Sequence, residues 1–300
     1  METPLSSILV TGATGFIGRR LAQRLVKDGY SVRCMVRQTT SDVPGGTTEM
    51  VRGDLLEPAT LDKALAGIDI AYYLVHSMSG GRAGFERRDR EAARNFVAAA
   101  NRANVRRVIY LGGLGETGDD LSEHLKSRLE VANILKSGQF ATTFLRAAVI
   151  IGAGGASFEM VRALVEHLPI MITPRWVSTR CQPIAVDDVI GYLAACPADE
   201  RTSGRTFDIG GPEVLTYREM MERLARIEGR KLYIIPVPVL TPKLSSYWVG
   251  FITPVSPSVS MPLIEGLKNE VICRESAIRD LIPFRLTPFD EAVQKALLGS

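Results

Sequence analysis

The feature that most constrains this chain is a glycine-rich turn near its N-terminus, between a short apolar run and a helix-length amphipathic segment. The run Ile8–Thr11 is followed by Gly12, Gly15 and Gly18, a G-x-x-G-x-x-G spacing that departs from the G-x-G-x-x-G form. Gly12 permits a tight turn, Gly15 lets a phosphate approach the backbone, and Gly18 lets the helix pack closely on a sheet. Since the first amides of a helix lack partners within it, the pattern predicts a dinucleotide pyrophosphate site.

Strand-length and helix-length segments alternate through the first half of the chain. Strands are predicted at Ile8–Thr11, Ser31–Val36, Met50–Arg52, Ile70–Val75, Val105–Leu111 and Ala141–Leu145, and helices at 16–27, 60–66, 85–103 and 122–135. Strands separated by helices need right-handed crossovers, which cover both faces of the sheet. The alternation therefore predicts an α/β fold with a doubly wound parallel sheet of the Rossmann type.

The alternation stops near residue 150. We therefore expect a dinucleotide-binding domain over 1–150 and a smaller C-terminal substrate lobe over 151–300, with a strand at Thr206–Ile209 returning to the main sheet. The Gly152–Gly155 segment is expected to be a flexible turn at which a lid closes. Trp176 and Arg180 are candidate residues of the substrate pocket.

Two helix starts and one apolar stretch stand out in this second half. Thr216-x-x-Glu219 is a capping box, and the last helix is predicted to have Thr287 as its N-cap and Pro288 as its first residue. Between Leu232 and Ile264 the only charged residue is Lys243, among six prolines. The segment at 241–252 is predicted to be a short helix with an apolar aromatic stripe. That stripe is core, an apolar substrate pocket, or a membrane or partner contact.

Composition excludes several classes of protein. Hydrophobic residues are 46% and charged residues 23% of the chain, as in soluble globular proteins, and the net charge of +3 is scattered, so no nucleic-acid partner is expected. The four cysteines and three histidines show no metal-ligand spacing, so no metal is expected. No apolar run reaches the roughly 18 residues of a membrane span, and the expected location is the cytoplasm.

The sequence of the first turn, Thr11–Gly18, reads T-G-A-T-G-F-I-G. It resembles the extended and atypical short-chain dehydrogenase/reductase superfamily, and within it the NmrA-like NAD(P)H-binding proteins. Further matches are Gly53-Asp54, Leu145-Arg146, Pro183–Val189 and Phe207–Gly211. The resemblance covers about residues 5–230 and is specific for the superfamily, not for a reaction.

The resemblance implies a set of cofactor-binding residues: Gly12, Thr14, Gly15, Phe16, Ile17, Arg37, Asp54, Leu55, Leu74, Val75, His76, Arg128 and Ala147. In the family the acid matching Asp54 accepts a hydrogen bond from the adenine amino group, and the segment at 74–77 runs beside the ribose. Asp54 is alternatively a turn or helix-cap acid, and His76 alternatively a structural residue.

The residue that ends the second strand distinguishes the two nicotinamide coenzymes. An acid there favours NAD, whereas this chain has Arg37. A guanidinium binds a 2′-phosphate through charge-assisted hydrogen bonds, so the sequence predicts NADP(H). Arg19 and Arg33 are alternative phosphate partners, and Arg37 is alternatively a solvated residue at the strand end.

The catalytic pattern of the family is missing. Where active members have Tyr-x-x-x-Lys, this chain has His124 and Arg128, which share one helix face at i, i+4. Arg128 cannot act as a base, and the neighbouring cation favours a neutral His124 that donates only modestly. Gly112 and Gly113 stand where a Ser or Thr would orient a carbonyl. His124 and Arg128 are the catalytic candidates, and an ordinary amphipathic helix face is the alternative.

Three functions remain. The first is NADPH-dependent reduction of a small apolar electrophile such as a quinone or enone, since hydride transfer needs mainly positioning. The second is a non-catalytic NADP(H)-sensing regulator with a protein partner. Self-association of the chain is compatible with both the reductase and the regulator. The third is a nucleotide-sugar epimerase or dehydratase, which normally retains the missing Tyr and Lys.

Overall fold

The computed structural model describes residues 6–38, 48–75, 82–114, 123–173, 175–236 and 269–299. The strands are β1 Ser7–Thr11, β2 Ser31–Val36, β3 Thr48–Arg52, β4 Ile70–Tyr73, β5 Arg107–Gly113, β6 Ala141–Ala147, β7 Ile150–Ile151, β8 Ile170–Thr173, β9 Arg180–Cys181, β10 Ile184–Ala185, β11 Thr206–Ile209, β12 Leu215–Thr216 and β13 Tyr233–Pro236. The helices are α1 Phe16–Lys27, α2 Leu61–Leu65, α3 Arg82–Arg102, α4 Glu123–Lys136, α5 Ala156–His167, α6 Val186–Ala195, α7 Tyr217–Ile227, α8 Ala277–Leu281 and α9 Phe289–Leu298.

Seven strands form one parallel sheet in the order β3-β2-β1-β4-β5-β6-β11. The strand order reverses direction between β1 and β4, where Val10 pairs with Tyr72. In sheets of this kind ligands bind in the crevice outside the carboxyl ends of the strands at that point. The predicted doubly wound fold is confirmed, and β11 returns beside β6 as expected.

Alternate residues of the central strands pack into two different cores. Ile8 and Tyr72 join Leu21 of α1 on one face of the sheet, while Leu9 lies on the opposite face with Phe96 of α3. Because successive residues of a strand point to opposite faces, a sheet covered by helices on both sides needs a continuous apolar strand sequence. This explains why β1 reads as an unbroken apolar run.

A third core lies among α5, α7, α9 and the short strands of the second half, with Phe158, Val177, Met220, Leu224 and Val293 among its buried residues. The predicted capping box at the start of α7 is present: Thr216 accepts from the Glu219 amide, and the Glu219 carboxylate accepts from the Thr216 amide. The division of the chain at residue 150 stays a prediction.

Several boundaries differ from the sequence-based expectation by a few residues, and two of the differences have a clear physical reason. The strand predicted from Val105 begins at Arg107, because the Val105 amide donates to Ala100 O and closes the end of α3, with Asn104 in the left-handed region at φ 54°. Thr287 is not the N-cap of the last helix.

The Thr287 backbone and hydroxyl both donate to the carboxylate of Asp188. Pro288 takes the N-cap position, and the amide of the first helical residue, Phe289, donates to Glu213 instead. Both acceptors come from distant parts of the chain, so the helix start is fixed by tertiary contacts. The predicted helix at 241–252 lies outside the described residues.

Candidate functional site

The structure of the first turn requires glycine at Gly12 and Gly18. Gly12 has φ 65°, and a Cβ placed on it would lie 2.9 Å from the carbonyl oxygen of Leu74. A Cβ on Gly18 would overlap the carbonyl of Gly12. Backbone conformation and packing of the protein itself therefore require these two glycines.

Gly15 is not required by the protein's own atoms. It is the N-cap of α1, with φ −78° and ψ 173°, an extended conformation open to any residue. A Cβ there would meet only the Gly12 carbonyl oxygen, at 3.2 Å, and the residue is exposed. The first turn of α1 contains no acidic side chain, and its leading amides have no acceptor within the helix. The turn is thus shaped to let an anion approach, which fits the pyrophosphate of a dinucleotide.

Thr11 holds the two sides of the crevice together. Its hydroxyl donates to Tyr72 O at 2.9 Å and accepts from the Leu74 amide at 3.0 Å, which links the end of β1 to the end of β4. Leu74 and Val75, both half-buried, consequently flank Gly12. The structure brings these two predicted residues to the turn, while His76 lies outside the described residues.

The predicted adenosine-binding residues follow two neighbouring strands. Arg37 is exposed directly after β2, and the Gly53 amide donates to Val36 O at 2.9 Å, which holds the end of β3 beside it. Asp54 Oδ1 accepts a hydrogen bond from the Leu56 amide at 2.9 Å. Asp54 therefore stabilises a turn, which was the alternative to its predicted role in binding adenine. Its Oδ2 makes no hydrogen bond with any described residue and can accept from a ligand. Leu55 is buried beneath it.

Arg33, an alternative phosphate partner, is bound by the protein's own groups. Its guanidinium donates to Glu49 at 2.7 Å and to the carbonyls of Ala64 and Ala66 at 3.0 and 2.8 Å. These bonds direct the side chain toward α2, away from the turn. Arg19, half-buried on α1, stays an alternative to Arg37.

Arg20 is a residue of the site that the sequence reasoning missed. Its guanidinium donates to Phe16 O and to Ala153 O, each at 2.9 Å, and lies 4.6 Å from the centre of the Phe16 ring. A Cβ on Gly155 would be 2.9 Å from that ring. The start of α1 therefore contacts the turn after β7, which is the segment Gly152–Gly155 that the sequence predicts to be flexible. The i, i+4 spacing of Phe16 and Arg20 was the available signal.

The carboxyl ends of β5 and β6 form the predicted nicotinamide end of the crevice. Gly112 and Gly113 pair with Arg146 and Ala147, so glycine backbone lies beside the buried Ala147 where the family carries a hydroxyl residue. Arg146 itself donates to Asp208 at 2.8 Å. It is therefore bound to the neighbouring strand β11.

Arg128 has an unsatisfied hydrogen-bond donor. It is half-buried on α4, and its Nε is shielded from solvent with no hydrogen-bond partner among the described residues. The preceding Ser127 is buried, and its hydroxyl is in the same situation. An unpaired buried donor is costly, so a ligand oxygen is a favourable partner for it. The backbone of His124 belongs to α4, but its side chain lies outside the described part of the chain.

The two predicted pocket residues, Trp176 and Arg180, differ in exposure and in their hydrogen-bond partners. Arg180 is exposed and donates to Glu270 at 2.8 Å, which lowers the pKa of that carboxyl. The Trp176 indole lies edge-on to Tyr217, with ring centres 6.0 Å apart, and its Nε1 is buried without a partner among the described residues. Of the two, Trp176 retains a donor for a ligand.

Neither reactive thiols nor metal ligands gather in the described ranges. Burial raises the pKa of Cys273 and of Cys181 to about 12, so both thiols are protonated at neutral pH. The described residues contain no group of His, Cys, Asp and Glu side chains that would hold a metal ion. Among these residues, no helix has the length and apolarity needed to cross a membrane.

Residues 12–162 match the sequence model of a family described as NAD(P)H-binding. A relative, the (4-alkanoyl-5-oxo-2,5-dihydrofuran-3-yl)methyl phosphate reductase of Streptomyces griseus, is 30% identical over 75% of both chains. Another, the chloroplastic divinyl chlorophyllide a 8-vinyl-reductase of Arabidopsis thaliana, is 24% identical over 78% of this chain. The match spans 60% of that plant protein's length.

Solved structures share the fold. Triphenylmethane reductase of Citrobacter sp., complexed with NADP(H), superimposes with a TM-score of 0.78 at 21% identity, covering 97% of this chain and 99% of that one. An NADPH-dependent quinone oxidoreductase of Escherichia coli gives 0.78 at 17% identity, with 98% and 100% coverage. A nucleoside-diphosphate-sugar epimerase of Staphylococcus aureus gives 0.76 at 16% identity, with 96% and 99% coverage. At these identities the likeness establishes the fold alone.

Proposed function

Because this chain belongs to the NAD(P)H-binding family, we propose that it is an NADPH-dependent reductase of a small apolar conjugated electrophile, such as a quinone or an enone. One contrast carries the proposal. The turn at Gly15 keeps an open approach for a pyrophosphate, while β5 ends in Gly112 and Gly113 and not in the hydroxyl residue of the family pattern. A binding site of this form favours acceptors that need little help from an acid.

The choice of NADPH over NADH depends on Arg37. The side chain is exposed at the end of β2 and has no hydrogen bond or ion pair with any described residue, so its guanidinium is available to a 2′-phosphate. Arg33 is already engaged by Glu49. A carboxylate at position 37 would repel the phosphate, whereas a guanidinium binds it with two parallel hydrogen bonds.

The remaining residues position the reactants. Gly15 and the first amides of α1 bind the pyrophosphate, Asp54 Oδ2 accepts from the adenine amino group, and Leu74, Val75 and Ala147 line the crevice toward the nicotinamide. Reduction of a conjugated acceptor takes one hydride from NADPH and one proton from the site or solvent, and leaves NADP⁺. Arg128 Nε donates to the ribose or to the oxygen on which negative charge develops. We place the proton donor at His124.

The choice of acceptor follows from the weak acid pattern. A quinone or an enone delocalises the charge that hydride addition creates, whereas a simple ketone needs a strong proton donor at its oxygen. The name of the Streptomyces griseus relative describes a ring double bond conjugated to carbonyl groups. That substrate is of the class that we propose here.

A non-catalytic regulator that senses NADP(H) is the second candidate, because the missing hydroxyl beside Ala147 fits a protein that binds the coenzyme without using it. A sugar-nucleotide epimerase or dehydratase is a weaker third, because the chain has His124 and Arg128 where those enzymes normally carry Tyr and Lys. In each case we propose that residues 1–150 bind the coenzyme and 151–300 form the substrate lobe.

The test is NADPH oxidation by the purified protein with a panel of quinones, enones and simple ketones. We expect turnover with members of the first two classes, preference for NADPH over NADH, and a lower rate for His124→Ala. His167→Ala is the matched control, because His167 lies on α5 with Nδ1 2.8 Å from Ala163 O. Tight NADPH binding without turnover on any acceptor would refute the reductase and support the regulator.

A further inference from the structure

A two-stranded parallel ribbon, formed by β8 and β13, carries an apolar outer face. The exposed fractions are 59% for Ile170, 53% for Ile172, 60% for Tyr233 and 50% for Ile235. Tyr233 pairs with Ile170 and Ile235 with Ile172, so the four side chains are contiguous. We refer to these four residues as the ribbon face.

The opposite side of the ribbon is ordinary core. Met171 and Ile234, which pair with each other between the outer residues, are 1% and 8% exposed and belong to the core shared with α5 and α7. Parallel strands are normally covered on both faces, and a half-exposed ribbon is expected to show polar residues outside. The ribbon face breaks that alternation, and apolar patches of this kind on a folded surface mark contact sites.

Exposed cations border the ribbon face. Arg226, Arg230 and Lys231 are exposed just before β13, and Lys231 forms no ion pair with any described residue. The nearby acid Glu228 is 10% exposed at its side chain and is paired with both Arg230 and Arg162. The exposed charged side chains that directly precede β13 in the sequence are therefore positive.

The ribbon face is small, since it consists of four side chains on two strands of four residues each. A stable protein interface buries ~800 Å² on each partner. Shallow insertion into a bilayer needs less area, because a few aliphatic and aromatic side chains enter the headgroup region while adjacent cations attract anionic lipids. Tyr233 is the residue type enriched at that depth.

We propose that the ribbon face is a peripheral contact with an anionic lipid membrane. Binding of this kind is reversible and salt-dependent, and it places the protein where apolar molecules dissolve. The proposal does not require the reductase activity, because attachment involves neither the glycine turn nor Arg128.

The test is flotation of the full-length protein with vesicles of phosphatidylcholine alone or mixed with phosphatidylglycerol, without coenzyme. We expect binding to the anionic vesicles, little binding to the neutral ones, and loss at high salt. Tyr233→Ser with Ile235→Ser should reduce the bound fraction by about tenfold, and Lys231→Glu by roughly fivefold. Val214→Ser, at a site 43% exposed elsewhere, is the matched control and should bind like the wild type.

Thermal unfolding and NADPH binding check that each variant is folded, and Ile170→Ser with Ile172→Ser repeats the test on the other strand. Equal flotation of wild type and both folded double variants would overturn the proposal. So would a wild-type dimer in sedimentation equilibrium that the double variants abolish, because the face would then join two copies of the chain.

Discussion

Replacing Gly15 with alanine tests whether the glycine is required for the stability of the fold or for the binding of a ligand. The backbone at Gly15, φ −78° and ψ 173°, suits alanine, and the new Cβ would meet only the Gly12 carbonyl oxygen, at 3.2 Å. A shift of a few tenths of an ångström relieves that contact. Glycine-to-alanine changes at compatible positions stabilise by about 0.4–1 kcal/mol through the unfolded chain. We therefore expect the free energy of unfolding to change by less than about 1 kcal/mol.

The same methyl group would occupy the approach of the pyrophosphate. Displacing the phosphates from the first amides of α1 weakens one or two charge-assisted hydrogen bonds, each worth about 1.5–3 kcal/mol. At about 1.4 kcal/mol per factor of ten, the loss of one bond raises the Kd for NADPH by roughly tenfold to a hundredfold. Isothermal titration calorimetry measures the affinity, and urea unfolding measures the stability.

Gly12→Ala is the matched control, because it has the opposite expectation for stability. Its φ of 65° and the Leu74 carbonyl 2.9 Å from the new Cβ make alanine strained, at a cost of about 1–3 kcal/mol in unfolding free energy. If Gly15→Ala bound NADPH as tightly as the wild type, the turn would not hold a pyrophosphate. A large loss of stability in Gly15→Ala would instead mean that the glycine serves the fold.

Three further predictions concern other parts of the molecule. Arg37→Ala should raise the Kd for NADPH by about tenfold to a hundredfold and leave the Kd for NADH unchanged, as measured by calorimetry. Arg24→Ala, which replaces an exposed arginine on α1, is the control. Equal effects of the two substitutions would contradict the assignment of Arg37 to the 2′-phosphate. Arg107 is fully buried and donates to three acceptors. Arg107→Ala should therefore lower the free energy of unfolding in urea by about 3–5 kcal/mol, whereas Arg106→Ala at the exposed neighbour should lower it by at most about 1 kcal/mol. Similar losses for the two variants would contradict the burial of Arg107. The hydrogen bond from the capping-box backbone lowers the pKa of Glu219 below its ordinary 4.5, which favours the charged form in the folded state. Its stabilising effect is therefore present above pH 4.5 and lost as the pH falls through the lowered pKa. Relative to Glu219→Gln the wild type should gain about 0.5 kcal/mol at pH 7 and lose this gain as the pH falls below 4.5 through the lowered pKa, and a pH-independent difference would contradict this.

The sheet and the glycine turn are predictable because their signals are local. An apolar run, a turn with three glycines and an amphipathic helix are neighbours in the sequence, and the strand order follows from right-handed crossovers. The start of β5 was missed by two residues, because the backbone of Val105 serves the end of α3 instead of the sheet. The prediction that Thr287 is the N-cap of the last helix was wrong, because its hydroxyl donates to Asp188, 99 residues away.

The site shows the same division between local and tertiary signals. The role of Gly15 can be inferred from spacing, because nothing else in the fold requires a glycine there. The hydrogen bonds of Arg33 within the fold were not predictable, since its partners lie on β3 and α2. The contact between Arg20 and Ala153 spans 133 residues, and only the half that involves Phe16 has a sequence signature.

The most direct test of the central claim is transfer of deuterium from NADPH labelled at the C4 position of the nicotinamide to an enone that the panel identifies. The hydride ends on carbon, so the label is retained and mass spectrometry locates it. We predict one deuterium at the β-carbon of the reduced product from one of the two C4 epimers, and none from the other. An unlabelled product with both epimers, or NADPH that stays bound and unoxidised with every acceptor, would contradict the account.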